Sequence, residues 1–173
     1  MEEKGSVGQV NQSCLYAIRT HSRHEKVVRD QLAGRGIENL VPTVVRLSQW
    51  KDRKKEIQFP LFPGYCFARF VWHGRMPVLQ ASGVVDVVGR DSYPEPISEK
   101  EIEAIKMIVG SRHRYGSHPY QVEGVPVEVI RGPLQGMTGS LIRNANGCRL
   151  VIAVHLIRQA ASVEIDAADV ALI

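Results

Sequence analysis

The sequence is poor in residues on which several classes of protein depend. It has three cysteines among 173 residues, Cys14, Cys66 and Cys148, and they are far apart with no C-x-x-C pair. This argues against a disulfide framework and against a zinc site. No apolar run approaches the ~18 residues of a membrane span, and the polar residues 1–12 lack the apolar core of a signal peptide. We therefore expect a cytoplasmic protein without membrane contact.

Catalytic patterns are missing as well. We find no nucleophile triad and no paired carboxylates at a spacing that favours acid–base chemistry. His21 and His24 lie three residues apart without a carboxylate or thiol at ligand spacing, so no metal is expected. The glycine-rich segment 132–136 lacks the Gly-Lys-Ser/Thr of a phosphate loop. We predict a protein without enzymatic activity or cofactor; an enzyme that uses this loop on phosphates is the alternative.

Charge is distributed unevenly along the chain. Hydrophobic residues make up 44% and charged residues 23%, as in soluble globular proteins, and the length suits two domains of about 100 and 50 residues. Residues 19–55 contain ten Lys/Arg and four Asp/Glu, a balance of +6 that leaves −2 for the rest of the chain. Residues 122–173 have four arginines and five acids. A basic surface is therefore expected only in the N-terminal part.

The N-terminal pattern alternates strands and helices. A strand over 15–19 precedes a helix that a capping box at Ser22-Arg23-His24-Glu25 opens and that Gly34 and Gly36 end. A second strand covers 39–47, with Pro42 at an edge or bulge, and 50–56 is a charged hairpin tip. A third strand from Ile57 is interrupted at 59–64 and resumes over 65–70.

The next segment completes an α+β sandwich. A short helix over 75–82 ends at Gly83, and an apolar strand follows over 84–88. A capping box at Ser98 opens a helix that Gly110 closes. Its apolar face consists of Ile102, Ile105, Ile108 and Val109. The order predicts helices packed on an antiparallel sheet.

The C-terminal pattern is that of strands. Val125, Val127 and Val129 alternate, and Asn146-Gly147 is a strong hairpin signal. About five short strands predict a small closed barrel, although residues 160–173 could alternatively be helical. The predicted organisation is a disordered tail over 1–12, a domain over 13–110, a linker over 111–121 and a barrel over 122–173.

Two motifs together resemble a known family. The first is Pro-Leu-Phe-Pro-Gly-Tyr-Cys-Phe at 60–67, preceded by the capped segment 16–25; the second, at 124–139, looks like a KOW motif. In this order they resemble the NusG family of transcription elongation and antitermination factors over nearly the whole chain, and specialised paralogues more than the general factor. The resemblance implies a ferredoxin-like NGN domain joined to an SH3-like KOW barrel in a monomer. It also implies that the first domain binds RNA polymerase and suppresses pausing or termination while the KOW domain recruits a partner.

The resemblance places RNA polymerase contacts on the first motif. The matching family residues pack against the clamp helices of the largest polymerase subunit, and bent aromatic strips are typical binding hot spots. The residues concerned are Phe62, Pro63, Gly64, Tyr65 and Phe67. The alternative is that alternate members fill the domain core, which we favour for Cys66, Ala68 and Phe70.

Basic residues near the first helix suit phosphate contacts. They are Arg19, His21, Arg23, His24, Lys26, His73 and Arg75. The resemblance implies that this surface lies near the non-template DNA strand. The alternative is an ordinary solvated charged face, which applies equally to the Arg53-Lys54-Lys55 tip.

The KOW motif supplies a turn and a neighbouring loop. The turn residues are Gly132, Pro133, Leu134, Gly136 and Gly139. General family members carry an aromatic-glycine pair in the loop that contacts a ribosomal protein or Rho, and Ile157-Arg158 stands there instead, which argues against both partners. A ribosomal or RNA-binding KOW protein is the alternative function, but the nearly neutral C-terminal part disfavours it.

Overall fold

The computed structural model describes residues 11–90, 93–121 and 123–173. The predicted disordered tail over 1–12 lies outside these ranges except for Asn11 and Gln12. The chain divides into two compact units: unit 1 is Met1–Val41 with Pro63–Ser98, and unit 2 is Pro42–Phe62 with Glu99–Ile173. The hairpin and the last helix, both predicted for the N-terminal domain, thus group with the C-terminal segment. None of the helices in the described ranges is long and apolar enough to cross a membrane.

Strands predominate over helices along the chain. In chain order the elements are β1 (Ser13–Thr20), α1 (Glu25–Gly34), β2 (Asn39–Leu40), β3 (Thr43–Trp50), β4 (Arg53–Pro60), β5 (Tyr65–Val71), α2 (Met76–Leu79), β6 (Val84–Val87), β7 (Gly89–Arg90), β8 (Tyr93–Pro94), α3 (Glu99–Gly110), β9 (Tyr115–His118), β10 (Val125–Val129), β11 (Thr138–Asn144), β12 (Gly147–Val154), β13 (Gln159–Ile165) and β14 (Val170–Leu172).

Unit 1 is built on a four-stranded antiparallel sheet in the order β2-β5-β1-β6. With α1 after β1 and α2 after β5, this is the ferredoxin-like βαββαβ arrangement, and the predicted α+β class is confirmed. The core combines one face of the sheet with the apolar sides of both helices. Its buried residues are Tyr16, Ile18, Val28, Leu32, Val41, Cys66, Ala68, Phe70, Val78 and Ala81.

The start of α1 differs from the prediction. The helix begins at Glu25 after His24, which makes no side-chain cap, and the capping box at Ser22 is therefore wrong. A left-handed turn at Arg23, with φ of 64°, separates Ser22 from the first helical turn. The end of the helix is as expected: Gly36 has φ of 71°, and its N–H donates to the Ala33 carbonyl at 3.0 Å.

The predicted strand over 39–47 is two strands. Proline has no N–H to donate to a ladder, and the chain leaves the sheet at Val41-Pro42. Beyond this break, β3 and β4 pair along their whole length, from Thr43 with Pro60 to Trp50 with Arg53. The charged tip is shorter than the predicted 50–56: the turn is at 51–52, and Trp50 and residues 53–56 belong to a ribbon of eight residue pairs.

Unit 2 contains α3 and a six-stranded antiparallel sheet in the order β14-β10-β11-β12-β13-β9. Ile102, Ile105 and Ile108 are buried, which confirms the predicted apolar face of α3. The β-rich C-terminal part is also confirmed, and the helical alternative over 160–173 is wrong because β13 and β14 occupy most of it. One strand, β9, forms inside the predicted linker and pairs with β13.

Candidate functional site

The Pro63-Gly64 turn of unit 1 is held from two sides. Gly64 has φ of +84°, a left-handed conformation that glycine adopts without strain. Its carbonyl accepts a hydrogen bond from the N–H of Thr20 at 2.8 Å, and its own N–H donates to the carboxylate of Glu25 at 2.8 Å. Because Thr20 ends β1 and Glu25 begins α1, these bonds fix the start of β5.

Two of the predicted polymerase-binding side chains are not exposed. Phe62 is 1% and Phe67 0% exposed, so neither ring presents a contact surface. Burying a phenylalanine side chain stabilises a fold by roughly 1.5–3 kcal/mol, and both rings serve the interior instead. Pro63 is exposed, while Gly64 and Tyr65 are half-buried. Cys66, Ala68 and Phe70 are buried, as favoured from the sequence.

Tyr65 lies in a row of side chains that crosses three strands of unit 1. Arg19 on the central strand β1 is opposite Tyr65 on β5 and opposite Asp86 on β6. The Arg19 guanidinium donates to both carboxylate oxygens of Asp86, at 3.1 Å from Nε and 2.5 Å from Nη2. Arg19 is therefore paired with a carboxylate rather than turned toward a phosphate. With both side chains about half exposed, solvent screening limits this pair to under about 1 kcal/mol.

An open cleft of about 310 Å³ extends from this row. Three aromatic residues, Tyr65, Trp72 and Tyr93, contribute to its wall, and Tyr93 is 69% exposed. The remaining lining residues are Arg19, Asp86, Val87, Val88, Gly89 and Pro94. Aromatic rings beside a pair of opposite charges are suited to binding a partner's side chains. We call this site the aromatic cleft.

The predicted basic surface is only partly assembled. His21, Arg23 and His24 are exposed together at the turn before α1, where the two imidazole rings lie 6.0 Å apart. Lys26 is half-buried and His73 is exposed. The Arg75 guanidinium lies 4.7 Å from the centre of the Trp72 ring and donates to the Trp72 carbonyl at 3.1 Å. Arg75 is thus engaged in packing, and three exposed residues remain adjacent.

The glycine-rich segment of the KOW motif forms the turn between β10 and β11. Gly132 and Gly136 have φ of +85° and +86°, and Leu134 is buried between them. The Gly136 N–H donates to the Val129 carbonyl at 2.8 Å, which closes the turn. A Cβ at Gly139 would lie 2.5 Å from the Val151 carbonyl oxygen, so the β11–β12 pair requires glycine there. Pro133 is exposed.

The predicted partner loop is also divided between interior and surface. Ile157, the first residue of this loop, is 6% exposed, so its side chain is buried and is not available for a partner contact. Arg158 is exposed and has a left-handed φ of 52°. Its guanidinium lies 5.9 Å from the centre of the Tyr120 ring, and the Tyr120 hydroxyl is 2.9 Å from Nδ1 of His155. The loop therefore presents Tyr120, His155 and Arg158.

Sequence reasoning missed most of the aromatic cleft. Asp86 is a lone charge inside the apolar segment 84–88, and Tyr93 stands in a proline-rich loop; both signals were available. Trp72 of the cleft lies in a segment without periodicity, so no sequence signal marked it as a site residue. The same holds for Tyr120, which lies beside Arg158 and His155. In the part of the chain that the structure describes, no three His, Cys, Asp or Glu side chains form a cluster able to hold a metal ion.

A ferredoxin-like unit with an aromatic cleft and a β-rich unit with a KOW turn define a two-unit α+β protein. The family model described as "Transcription termination factor nusG" matches residues 13–106, and the chain belongs to the NusG family. Members of this family are named as transcription termination/antitermination proteins.

Two bacterial relatives cover most of the chain. The NusG protein of Yersinia pestis is 30% identical over 178 aligned residues, with 96% of this chain and 90% of the relative covered. That of Lactococcus lactis is 26% identical, with 87% and 88% covered. A solved structure entitled "Domain interaction in Thermotoga maritima NusG" has a TM-score of 0.54 at 22% identity and covers 94% of this chain and 98% of its own. That likeness concerns the fold.

Proposed function

We propose that the chain is an elongation or antitermination factor that binds the clamp helices of the largest RNA polymerase subunit through unit 1. The observation that carries the proposal is the aromatic cleft, whose wall includes Tyr65, Trp72 and Tyr93 together with the Arg19–Asp86 pair. A helical partner could bury apolar side chains against the three rings and place a polar group near the pair. The protein acts by binding, without catalysis.

Bound there, the factor suppresses pausing or termination by favouring one state of the polymerase clamp. A ligand shifts such an equilibrium only by its difference in affinity for the two states, so tight docking on one of them is sufficient. His21, Arg23 and His24 contact the phosphates of the non-template DNA strand. Such contacts add affinity without reading sequence.

Unit 2 recruits a protein partner through the loop that presents Tyr120, His155 and Arg158. The near-neutral charge of residues 122–173 favours a protein over a nucleic acid. Where general family members have an aromatic-glycine pair, this loop has the cation Arg158, and Tyr120 of an adjoining segment lies beside it. A partner other than a ribosomal protein or Rho suits this surface better.

The polymerase proposal is tested by retention of RNA polymerase on the immobilised full-length chain. Tyr65→Ala removes one ring of the cleft, and the substituted residue is half-buried rather than fully buried. We expect this variant to bind RNA polymerase roughly ten-fold more weakly or worse. Met76→Ala is the matched control, because Met76 is a 52% exposed apolar residue of the same unit outside the cleft lining. Equal retention of the two variants, both folded by circular dichroism, contradicts docking through the cleft.

A further inference from the structure

The β3–β4 hairpin has two faces of different chemistry. Residues directly opposite in an antiparallel pair project to the same side, and the side alternates along each strand. The register therefore defines one face by the pairs Val44–Phe59, Arg46–Ile57, Ser48–Lys55 and Trp50–Arg53. The other consists of Thr43–Pro60, Val45–Gln58, Leu47–Glu56 and Gln49–Lys54.

The first of these, which we call the Trp50 face, combines aromatic rings with cations and carries no acid. Trp50 is 68% exposed near the tip, and Phe59 is 42% exposed toward the base. Arg46, Arg53 and Lys55 give the face a charge of +3, whereas Lys54 and Glu56 cancel on the opposite face. Among the described residues, none of the three cations of the Trp50 face takes part in an ion pair.

The two rings of this face keep a large part of their apolar surface in contact with water. Tryptophan has the largest ring of any side chain, and 68% of Trp50 is exposed. The Arg46 guanidinium lies 5.7 Å from the centre of the Phe59 ring, so a second ring already sits beside a cation. Phe59 is opposite Val44, six residues before Trp50 on β3. At 3.3 Å per residue, the two rings are therefore roughly 20 Å apart along the hairpin.

We infer that the Trp50 face is a binding surface for single-stranded nucleic acid. Unpaired bases stack on Trp50 and Phe59, Arg46 and Lys55 contact the phosphates between them, and Arg53 contacts a phosphate beside Trp50. Interleaved aromatics and cations along an extended groove or ribbon are the chemistry by which unpaired strands are bound without sequence preference. A paired duplex offers phosphates but hides its base faces, so it would not use the two rings. The surface is separate from the basic turn at 21–24 and does not depend on polymerase binding.

The inference is tested by fluorescence anisotropy of the full-length chain with labelled single-stranded DNA of about 12 nucleotides, within the ~4–16 nucleotides typical of such sites. RNA of the same sequence and a duplex of the same length form the other arms. We expect both single strands to bind more tightly than the duplex. We also expect the tryptophan fluorescence to be quenched on binding, because a base stacks on the indole. A ratio of DNA to RNA affinity far from one identifies the preferred strand.

Two matched pairs of variants locate the site. Trp50→Ala should weaken binding roughly ten-fold and abolish most of the quenching, whereas Leu47→Ala, which removes a 67% exposed apolar residue from the opposite face, should leave both unchanged. Lys55→Ala should make the slope of log binding constant against log salt concentration less steep by about 0.7. This is the contribution of one phosphate contact on a single strand. Lys54→Ala removes the same charge from the other face and should change it less.

Three results would overturn the inference. They are a duplex bound as tightly as the single strands, equal effects of the two lysine variants, and undiminished affinity of Trp50→Ala. Each of them describes a diffuse electrostatic attraction to the hairpin rather than a face that stacks bases. Retention of RNA polymerase by Trp50→Ala, measured separately, keeps this test distinct from that of the aromatic cleft.

Discussion

The buried carboxylate of Glu25 accepts a hydrogen bond from the backbone N–H of Gly64, 39 residues later in the chain, at 2.8 Å. Glu25 is 4% exposed and opens α1, while Gly64 precedes the strand that carries Tyr65. One side chain therefore connects the first helix to the turn that positions the aromatic cleft.

Removing this acceptor should destabilise the fold measurably. Glu25→Ala leaves the Gly64 N–H without a partner, which costs about 1–3 kcal/mol of the free energy of unfolding. Glu25→Gln keeps an acceptor oxygen and should lose less. Urea denaturation measures the difference, and hydrogen exchange at the Gly64 amide reports it locally. Unchanged exchange at Gly64 in Glu25→Ala would show that the bond does not hold the turn.

Phe62 should behave as a core residue rather than a contact residue. Phe62→Ala is expected to lower the free energy of unfolding by about 3–5 kcal/mol, because it removes a fully buried ring. Phe59→Ala is the matched control: the same substitution at a 42% exposed position should cost well under half as much. Equal losses in chemical denaturation would mean that Phe62 is not buried in solution. Loss of polymerase binding by Phe62→Ala alone therefore does not identify a contact.

Arg158 occupies a backbone conformation that suits glycine. Its φ of 52° costs a residue with a Cβ roughly 1 kcal/mol. Arg158→Gly and Arg158→Ala both remove the guanidinium beside Tyr120, so the difference between them isolates the backbone. We expect the glycine variant to be the more stable by several tenths to 1 kcal/mol in thermal unfolding. A more stable alanine variant would contradict a left-handed conformation at this position.

The thiol of Cys66 should resist modification. Burial raises its pKa to about 12, and thiol reagents attack the thiolate. Near pH 8, Cys14 and Cys148, which are half-buried, should react before Cys66. The number of thiols that react with a chromogenic disulfide is counted first in buffer and then in denaturant. We expect the buried thiol to react only in denaturant. Fast reaction of all three in buffer would contradict a closed core around β5.

The same shift predicts an alkaline loss of stability. Between the ordinary thiol pKa of 9.0 and the folded value of about 12, the unfolded chain binds fewer protons at Cys66 than the folded chain does. The free energy of unfolding therefore falls as the pH rises through this window and is unaffected below it. Burial also raises the pKa of the Tyr16 and Tyr115 hydroxyls, which extends the fall at higher pH. In Cys66→Ala, the free energy of unfolding measured by denaturant titration should fall less steeply with pH above pH 9. An unchanged slope would mean that a group other than Cys66 causes the fall.

The sequence predicted the features that depend on neighbouring residues. The apolar face of α3 follows from the helical spacing of Ile102, Ile105 and Ile108, and the β11–β12 hairpin follows from Asn146-Gly147, where Gly147 has φ of 122°. The KOW turn and the end of α1 at Gly36 likewise depend on glycines with a left-handed backbone conformation. Together with the order of the elements, these local signals were enough to predict the fold class and to suggest the family.

The tertiary structure alone decided which side chains are buried and which meet. Alternation along β5 cannot be extended backward through the Pro63-Gly64 turn, so the sequence could not show that Phe62 is inside while Tyr65 faces the cleft. The row Tyr65–Arg19–Asp86 joins three strands far apart in the chain, and the Trp50 face exists only through the pairing of β3 with β4. Register and burial depend on contacts between distant residues, whose free energy no local pattern contains.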